Sequence, residues 1–268
     1  MAGLIIAPRA RVFHGHEWVY ATEIKKAFGD PQPGDVVTLK DFRDRPLGSA
    51  IYNPHSQIVA RRFSRRRQDL DLDFFTRRIG QAIEYRRRTG IDEKLCRLVW
   101  SESDGIPGLI VDKYNDVLVL QSLTAGAEYW KETFAELLLE ETGCTAIYER
   151  SDADVRELEG LEPKVGLLRG SVSTFHFPIV ENGLNFEVNC QSGHKTGFYL
   201  DQRVNRLRVR ELAKDRDVLD CFCYTGGFTV NALFGGAKSV LSVDSSADAL
   251  ELCKQNIALN ELDASRHS

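Results

Sequence analysis

Short apolar runs with alternating spacing come first along the chain, and longer runs with helical spacing follow. Residues 35–39 and 57–63 read as strands, bounded by Pro31-Gln32-Pro33-Gly34 and Asn53-Pro54-His55-Ser56, which supply turns. From Asp71 the period changes. Leu72, Phe75, Ile79 and Ile83 fall on one helical face, and Gly90 is placed to stop that helix. Asp104-Gly105 and Pro107-Gly108 mark tight turns between strands in 98–112. A strand over 117–123, a helix over 127–141 and a strand over 145–148 complete a mixed middle region. Further on, 184–188 alternates as a strand, and Asp201 is placed to N-cap a helix over 202–213.

The stretch DVLDCFCYTGGFTVNALFGGAKSVLSVD, 217–244, is the most informative in the chain. It predicts a buried parallel strand ending at Asp220, a glycine turn, and a helix over 228–234 stopped by Gly235-Gly236. A second strand, 239–243, ends at Asp244. A helix over 246–260 follows, with Leu250, Cys253 and Ile257 on one face. Adjacent glycines, Gly226-Gly227, let backbone approach a ligand where a helix starts. An acid closing the second strand stands where doubly wound folds hydrogen-bond a ribose. The G-x-G-x-x-G of a dinucleotide site is absent. Carboxylates at Asp220 and Asp244 would repel a pyrophosphate but attract an ammonium or a sulfonium. The pattern therefore favours S-adenosylmethionine, and a nicotinamide-dependent oxidoreductase is the disfavoured reading.

Just upstream stands Gln191-Ser192-Gly193-His194-Lys195-Thr196-Gly197-Phe198-Tyr199-Leu200-Asp201-Gln202-Arg203. With this segment and the D-x-F-x-YTGGF run, the chain resembles the bacterial 23S rRNA methyltransferases that make 5-methylcytosine. The likeness runs from the N-terminus to about Asp263. His16-Glu17-Trp18-Val19-Tyr20 is similar to an early HPWVF-type segment, with Glu17 in place of proline. The resemblance implies an α/β chain in three parts. Residues 1–70 would be a β-rich, PUA-like RNA-binding barrel and 71–178 a small α/β middle domain. Residues 179–268 would open a Rossmann-like methyltransferase domain. It implies a cofactor site from Lys195, Gly197, Tyr199, Asp201, Arg203, Asp220, Phe222, Tyr224, Thr225, Gly226, Gly227, Phe228, Asp244 and Ser245.

The family chemistry adds a cysteine thiolate to C6 of cytosine, because C5 alone is a poor nucleophile. The family's D-P-P-type motif and later cysteine are not in these residues. Cys221 and Cys223 lie nearest the cofactor loop but read as packing residues. No catalytic residue is assigned, and the chain reads as truncated at its C-terminus, with a Rossmann core that its strands do not close. A non-catalytic RNA-binding protein is the alternative reading.

Charge sharpens the picture of the partner. The first 100 residues hold 19 Lys and Arg against 12 Asp and Glu; the remainder hold 16 against 27. The excess gathers at Arg61, Arg62, Arg65, Arg66, Arg67, Arg77, Arg78, Arg86, Arg87 and Arg88, whose planar forks suit phosphate. Ribosomal RNA is the expected partner, and a homodimer is left open. Trp18 reads as core rather than as a base platform. Glu102, Asp104 and Asp112 read as turn residues, and no metal is expected from them or from His14 and His16. The 43% apolar content suffices for modest cores, yet no run reaches the ~18 apolar residues of a membrane span. The N-terminal run is too short for a signal peptide. Six cysteines without framework spacing fit a reduced, cytoplasmic protein.

Overall fold

The structure, a computed structural model, describes residues 2–191 and 193–268; Ser192 of the resemblance segment lies outside them. The chain divides into two compact units, one ending at Val172 and one spanning Ser173–Ser268.

The first unit opens with β1 (Gly3–Ile6), β2 (Trp18–Val19), β3 (Ile24–Phe28), β4 (Val36–Lys40), β5 (Pro46–Tyr52) and β6 (Ala60–Ser64). They form one mixed sheet in the order β2-β6-β5-β4-β1-β3. Leu4, Ile6, Val19, Val37, Leu39, Ala50 and Ala60 make its own core. The strand expected over 57–63 starts late, because Ser56 and Asn53 are held in the preceding turn by the buried Glu159.

Asp71 N-caps α1 (Leu72–Arg88), accepting from the Phe74 amide at 2.8 Å. Its buried stripe of Phe74, Phe75, Ile79, Ala82 and Ile83 follows the sequence periodicity, while Leu72 is half exposed. Gly90 takes the left-handed conformation after the helix. Phe75 is the hub of the core, with Phe134 at 4.9 Å and Trp130 at 4.7 Å between ring centroids. Burial of each such side chain stabilises by roughly 1.5–3 kcal/mol.

Strands β7 (Leu95–Trp100), β8 (Leu109–Tyr114), β9 (Val117–Ser122), β10 (Ala146–Ser151) and β11 (Lys164–Gly170) form a second sheet, order β11-β10-β9-β8-β7. The parallel β9–β10 pair is bridged by α2 (Ala125–Thr142), the usual crossover for parallel strands. Ile51, Phe63 and Leu70 enter the same core as this sheet and α1, so the two sheets share buried residues.

A buried charge network ties α2 to the rest of this unit. Glu128 accepts from Lys131 at 3.0 Å, Arg156 at 2.9 Å and Lys164 at 2.6 Å. Burial pushes the Glu128 carboxyl up, but the hydrogen bonds from Lys164, Arg156 and Lys131 outweigh it and hold it at about 2. A depressed carboxylate adds stability above its unfolded value near 4.5 and loses it as pH falls toward 2. Glu128→Gln is expected to destabilise this unit by about 2–3 kcal/mol near neutral pH. The gap to the parent should narrow below pH ~4.5, read from urea melts at stepped pH.

The second unit begins with a hairpin, β12 (His176–Glu181) and β13 (Leu184–Asn189). Asn182 and Gly183 turn it with φ of 50° and 77°, as a type I′ turn requires. Next come α3 (Arg203–Leu212), β14 (Asp217–Cys221), α4 (Gly227–Phe234), β15 (Ser239–Val243) and α5 (Ala247–Leu259). Asp201 does not cap α3: a short 3-10 turn precedes it and Gln202 holds the cap position without a side-chain bond. The α5 asparagines supply partners for the β13 backbone. Asn256 accepts from the Glu187 amide and Asn260 from the Asn185 amide, both at 2.8 Å.

Strands β14 and β15 pair in parallel from Asp217–Ser239 to Cys221–Val243. The sequence expectation of a strand buried on both faces does not hold here. Val240, Asp220 and Ser242 point inward, while Leu219, Cys221, Leu241 and Val243 are exposed on the other face, Leu219 by 61%. Period-two alternation places the apolar set outward. The reading of Cys221 as a packing residue is corrected with it.

Candidate functional site

The second unit holds a cavity of about 460 Å³ over the start of α4, within the roughly 300–1,000 Å³ range of small-molecule sites. One wall is the turn after β14, where Phe222, Tyr224 and Gly226 all have positive φ. Two non-glycine residues in that region within three positions mark a strained, shape-critical turn. Phe222 is 89% exposed there and lines the cavity.

Tyr224 organises the turn. Its amide donates to Asp244 Oδ2 at 2.8 Å and its hydroxyl donates to the Gly197 carbonyl at 3.1 Å. The hydroxyl also accepts from the His194 amide at 2.9 Å. Its ring stacks on His194 at 4.7 Å and meets Tyr199 edge-on at 5.6 Å. Lys195 Nζ lies 4.4 Å above the Tyr199 ring. The 194–199 segment and the glycine turn are therefore joined through one tyrosine.

Asp244 takes one backbone amide on each oxygen, Ser246 on Oδ1 at 2.9 Å and Tyr224 on Oδ2. The Ser246 amide lowers its pKa most, burial opposes, and the Tyr224 amide and the charge of His194 lower it further. The Ser245 amide lowers it too, and an ionised carboxylate, with about four acceptor positions, keeps room for a ligand's hydroxyl. Thr225 is buried in the same turn, and its Oγ1 has no hydrogen-bond partner among the described residues.

Of the sequence-predicted cofactor residues, the structure gathers Lys195, Tyr199, Asp201, Phe222, Tyr224, Thr225, Gly227, Phe228, Asp244 and Ser245 on this wall. Four stand off it. Asp220 is buried and accepts from Thr229 Oγ1 at 2.7 Å. Burial pushes its carboxyl up, the Thr229 bonds oppose this, and the charge of Asp244 adds to the rise. It anchors α4 rather than facing a ligand's cation. Arg203 reaches Glu181 at 3.3 Å. Gly197 holds φ at 122°, and a Cβ there would sit 2.8 Å from Val188 Cγ1. At Gly226 a Cβ would run into Cys253 Sγ.

Sequence reasoning missed His194, Phe198, Gln202, Arg206 and Cys223, which line the same cavity. It also missed Asn256, fully buried, whose Nδ2 donates to the Thr225 carbonyl at 2.8 Å while Oδ1 serves β13. Helix spacing of Asn256 and Asn260 was the available signal, but polar residues four apart ordinarily face solvent. Cys223 is buried, and desolvation, with the neighbouring Cys253, Asp220 and Asp244, pushes its thiol up to about 12. Burial likewise raises Cys253 to about 11. Neither is a thiolate near neutral pH.

The predicted RNA-binding arginines divide in the first unit. Arg61 is bound to Glu159 at 2.8 Å and Glu102 at 3.4 Å, Arg62 to Glu17 at 2.5 Å, and Arg86 to Asp104 at 2.5 Å. All three are held inside by carboxylates, which corrects their reading as phosphate contacts. Arg87 pairs with Glu93 at 3.0 Å and Arg65 with Glu17 at 2.7 Å, both at the surface. Arg66, Arg77 and Arg88 are exposed, and Arg67 is exposed as well. Trp18 is half buried, donating from Nε1 to Glu102 at 2.6 Å. Asp112 binds Arg97 at 2.8 Å. Among the described residues no group of three or more His, Cys, Asp or Glu is placed to hold a metal, and no helix is long and apolar enough to cross a membrane.

Comparison with known proteins bears on both units. Residues 167–268 match the family model described as S-adenosylmethionine-dependent methyltransferase, and 9–65 match that of a PUA-like domain. The chain is 46% identical over 255 residues to the ribosomal RNA large subunit methyltransferase I of Vibrio cholerae. It is 43% identical over 256 residues to the protein of that name from Yersinia pestis. Both alignments take in 94% of this chain and 64% of the relative, so the chain spans under two thirds of those proteins' length. A solved structure from Streptococcus mutans, described as a SAM-dependent methyltransferase, superposes with a TM-score of 0.85 at 22% identity. It covers all of this chain and 70% of its own. A second, described as a methyltransferase complexed with SAH, gives 0.86 at 23% identity, covering 100% and 69%. At that identity the likeness is one of fold. The fold class is α/β, with a PUA-like N-terminal domain and a Rossmann-like methyltransferase domain whose class takes S-adenosylmethionine as cofactor.

Proposed function

We propose that this chain is the RNA- and cofactor-binding part of an S-adenosylmethionine-dependent methyltransferase that acts on C5 of a cytosine in 23S rRNA. One observation carries the cofactor half. The Asp244 carboxylate and the Tyr199, Tyr224 and Phe222 rings line one cavity at the strained 222–226 turn. Asp244 would hold the ribose hydroxyls. Tyr199, Phe198 and Phe222 offer apolar walls. The cofactor would supply a methyl group on a sulfonium, whose positive charge suits the acidic residues Asp201 and Asp244 on that wall.

The N-terminal PUA-like match and the arginine-rich first unit support an RNA substrate, as does the likeness to ribosomal RNA methyltransferases. The choice of cytosine C5 rests on the resemblance of 191–203 and 220–228. That chemistry needs a thiolate, and Cys223 and Cys253 are held protonated by burial, while Cys221 stands on the outward face of β14. No nucleophile is assigned within these 268 residues.

Domain limits of 1–70, 71–178 and 179–268 remain the proposed division by role. The test is genetic. Deleting the gene in its source organism should remove one 5-methylcytidine from 23S rRNA, read by mass spectrometry of its nucleosides. An unchanged 5-methylcytidine content, or loss of a different methylated nucleoside, contradicts the C5 reading.

A further inference from the structure

A second cavity, about 690 Å³, opens within the first unit. Its walls are the end of β6 with residues 65–68, one flank of α1, and the turn after β7. Five arginines line it, Arg62, Arg65, Arg66, Arg77 and Arg78, with three carboxylates, Glu17, Glu102 and Asp104.

Each carboxylate already has an arginine. Glu17 holds Arg62 and Arg65, Glu102 holds Arg61, and Asp104 holds Arg86. Arg66, Arg77 and Arg78 have no ion pair among the described residues. Arg78 is fixed in place all the same: its Nη2 donates to the Phe63 carbonyl at 3.3 Å and its guanidinium lies 5.2 Å over the Phe74 ring. It also rests on Gly105, where a Cβ would come within 3.1 Å of the guanidinium. A side chain held against backbone and ring, with its charge uncompensated, is ordered for an anion still to come. Tyr85 lies on the same wall, 58% exposed.

We infer that this cleft binds single-stranded RNA, with Arg66, Arg77 and Arg78 on backbone phosphates and Tyr85 stacked on a base. The inference rests on the proposed RNA substrate and goes further by naming the site and the strand state. A concave wall with an exposed ring needs an unstacked base, which a duplex does not offer. Three guanidiniums at separate points on the wall suit a phosphodiester chain.

The test uses the 268-residue chain and a fluorescein-labelled single-stranded RNA of about 12 nucleotides, within the site sizes of single-strand binders. Anisotropy titrations run from about 50 to 200 mM KCl, where neutralised phosphates show as a salt slope. Removing one arginine from a phosphate takes about 0.7 from the slope of log K against log salt, so Arg66→Ala with Arg77→Ala should lower it by about 1.4. Tyr85→Ala should weaken binding roughly 5- to 150-fold with the slope unchanged, as removal of one stacking platform does. Lys25→Ala with Lys94→Ala removes the same charge from exposed sites off the cleft and should leave the slope intact. Equal slopes for the two double variants would overturn the cleft in favour of a diffuse field. So would a duplex bound as tightly as the single strand. If the unaltered chain binds no RNA at all, the RNA reading itself falls, and the site with it.

Discussion

Replacing Asp244 by asparagine is expected to weaken S-adenosylmethionine binding by about 10²-fold, the loss of one to two hydrogen bonds to a charged acceptor. The effect is geometric in origin. Asp244 stands at the C-terminal end of β15, where its two oxygens fix the Tyr224 and Ser246 amides and keep acceptor positions toward the cavity. Asparagine keeps one acceptor oxygen and turns an amide against one of those N–H groups. Both the ribose contact and the Tyr224 turn therefore suffer. Titration calorimetry measures the first effect, and the near-ultraviolet signal of the His194–Tyr224 stack reports the second. Asp244 lies below the ordinary carboxylate value of 3.8, so it stays ionised well into mild acid. Affinity should not decline through this group between pH ~7 and ~5.

Glu181→Ala is expected to have the largest effect on stability, about 3–5 kcal/mol on the second unit, the penalty for leaving a buried charge without its partner. Glu181 is 2% exposed at the end of β12 and binds Arg206 in bidentate fashion at 2.6 and 2.7 Å. Arg206 is equally buried, donates to the Tyr199 carbonyl at 3.0 Å, and lies 4.5 Å over the Phe198 ring. The pair links the hairpin and α3 to the cofactor wall, and removal of the acid strands a guanidinium in that interior. Replacing both partners, Glu181→Leu with Arg206→Met, should recover most of the loss, because an apolar pair of similar volume carries no desolvation penalty. Hydrogen exchange over 176–212, with urea melts of each variant, tests the ordering. A double variant as unstable as Glu181→Ala would show that packing, not the stranded charge, sets the effect.

The strand–turn–helix around the cavity was legible because its signals are local. The glycine turn over 224–228 and the strand end at Asp244 each depend on neighbours a few positions away, whereas the cap expected at Asp201 did not form. The structure adds what distance hides. Arg61 meets Glu159 across 98 positions of sequence, and nothing local separates it from the exposed Arg66. The stack of His194 on Tyr224 spans 30 positions, so the histidine looked like part of a loop. The Asn182-Gly183 turn is the exception. It carried a hairpin signal that the alternation of 184–188 overshadowed, although the apolar residues on both sides supported it. The outward set on β14 and β15 shows the limit of reading burial from an apolar run. Alternation decides which residues share a face, and what covers that face lies elsewhere.

The central claim is that the cavity of the second unit holds S-adenosylmethionine. Calorimetric titration of the 268-residue chain with S-adenosylmethionine, and separately with NADH, tests it most directly. Saturable binding at one site per chain is expected, lost or much weakened with Asp244→Asn, and no heat with NADH. Absence of S-adenosylmethionine binding in a chain whose 176–259 amides are protected from exchange would contradict it, as would equal binding of NADH.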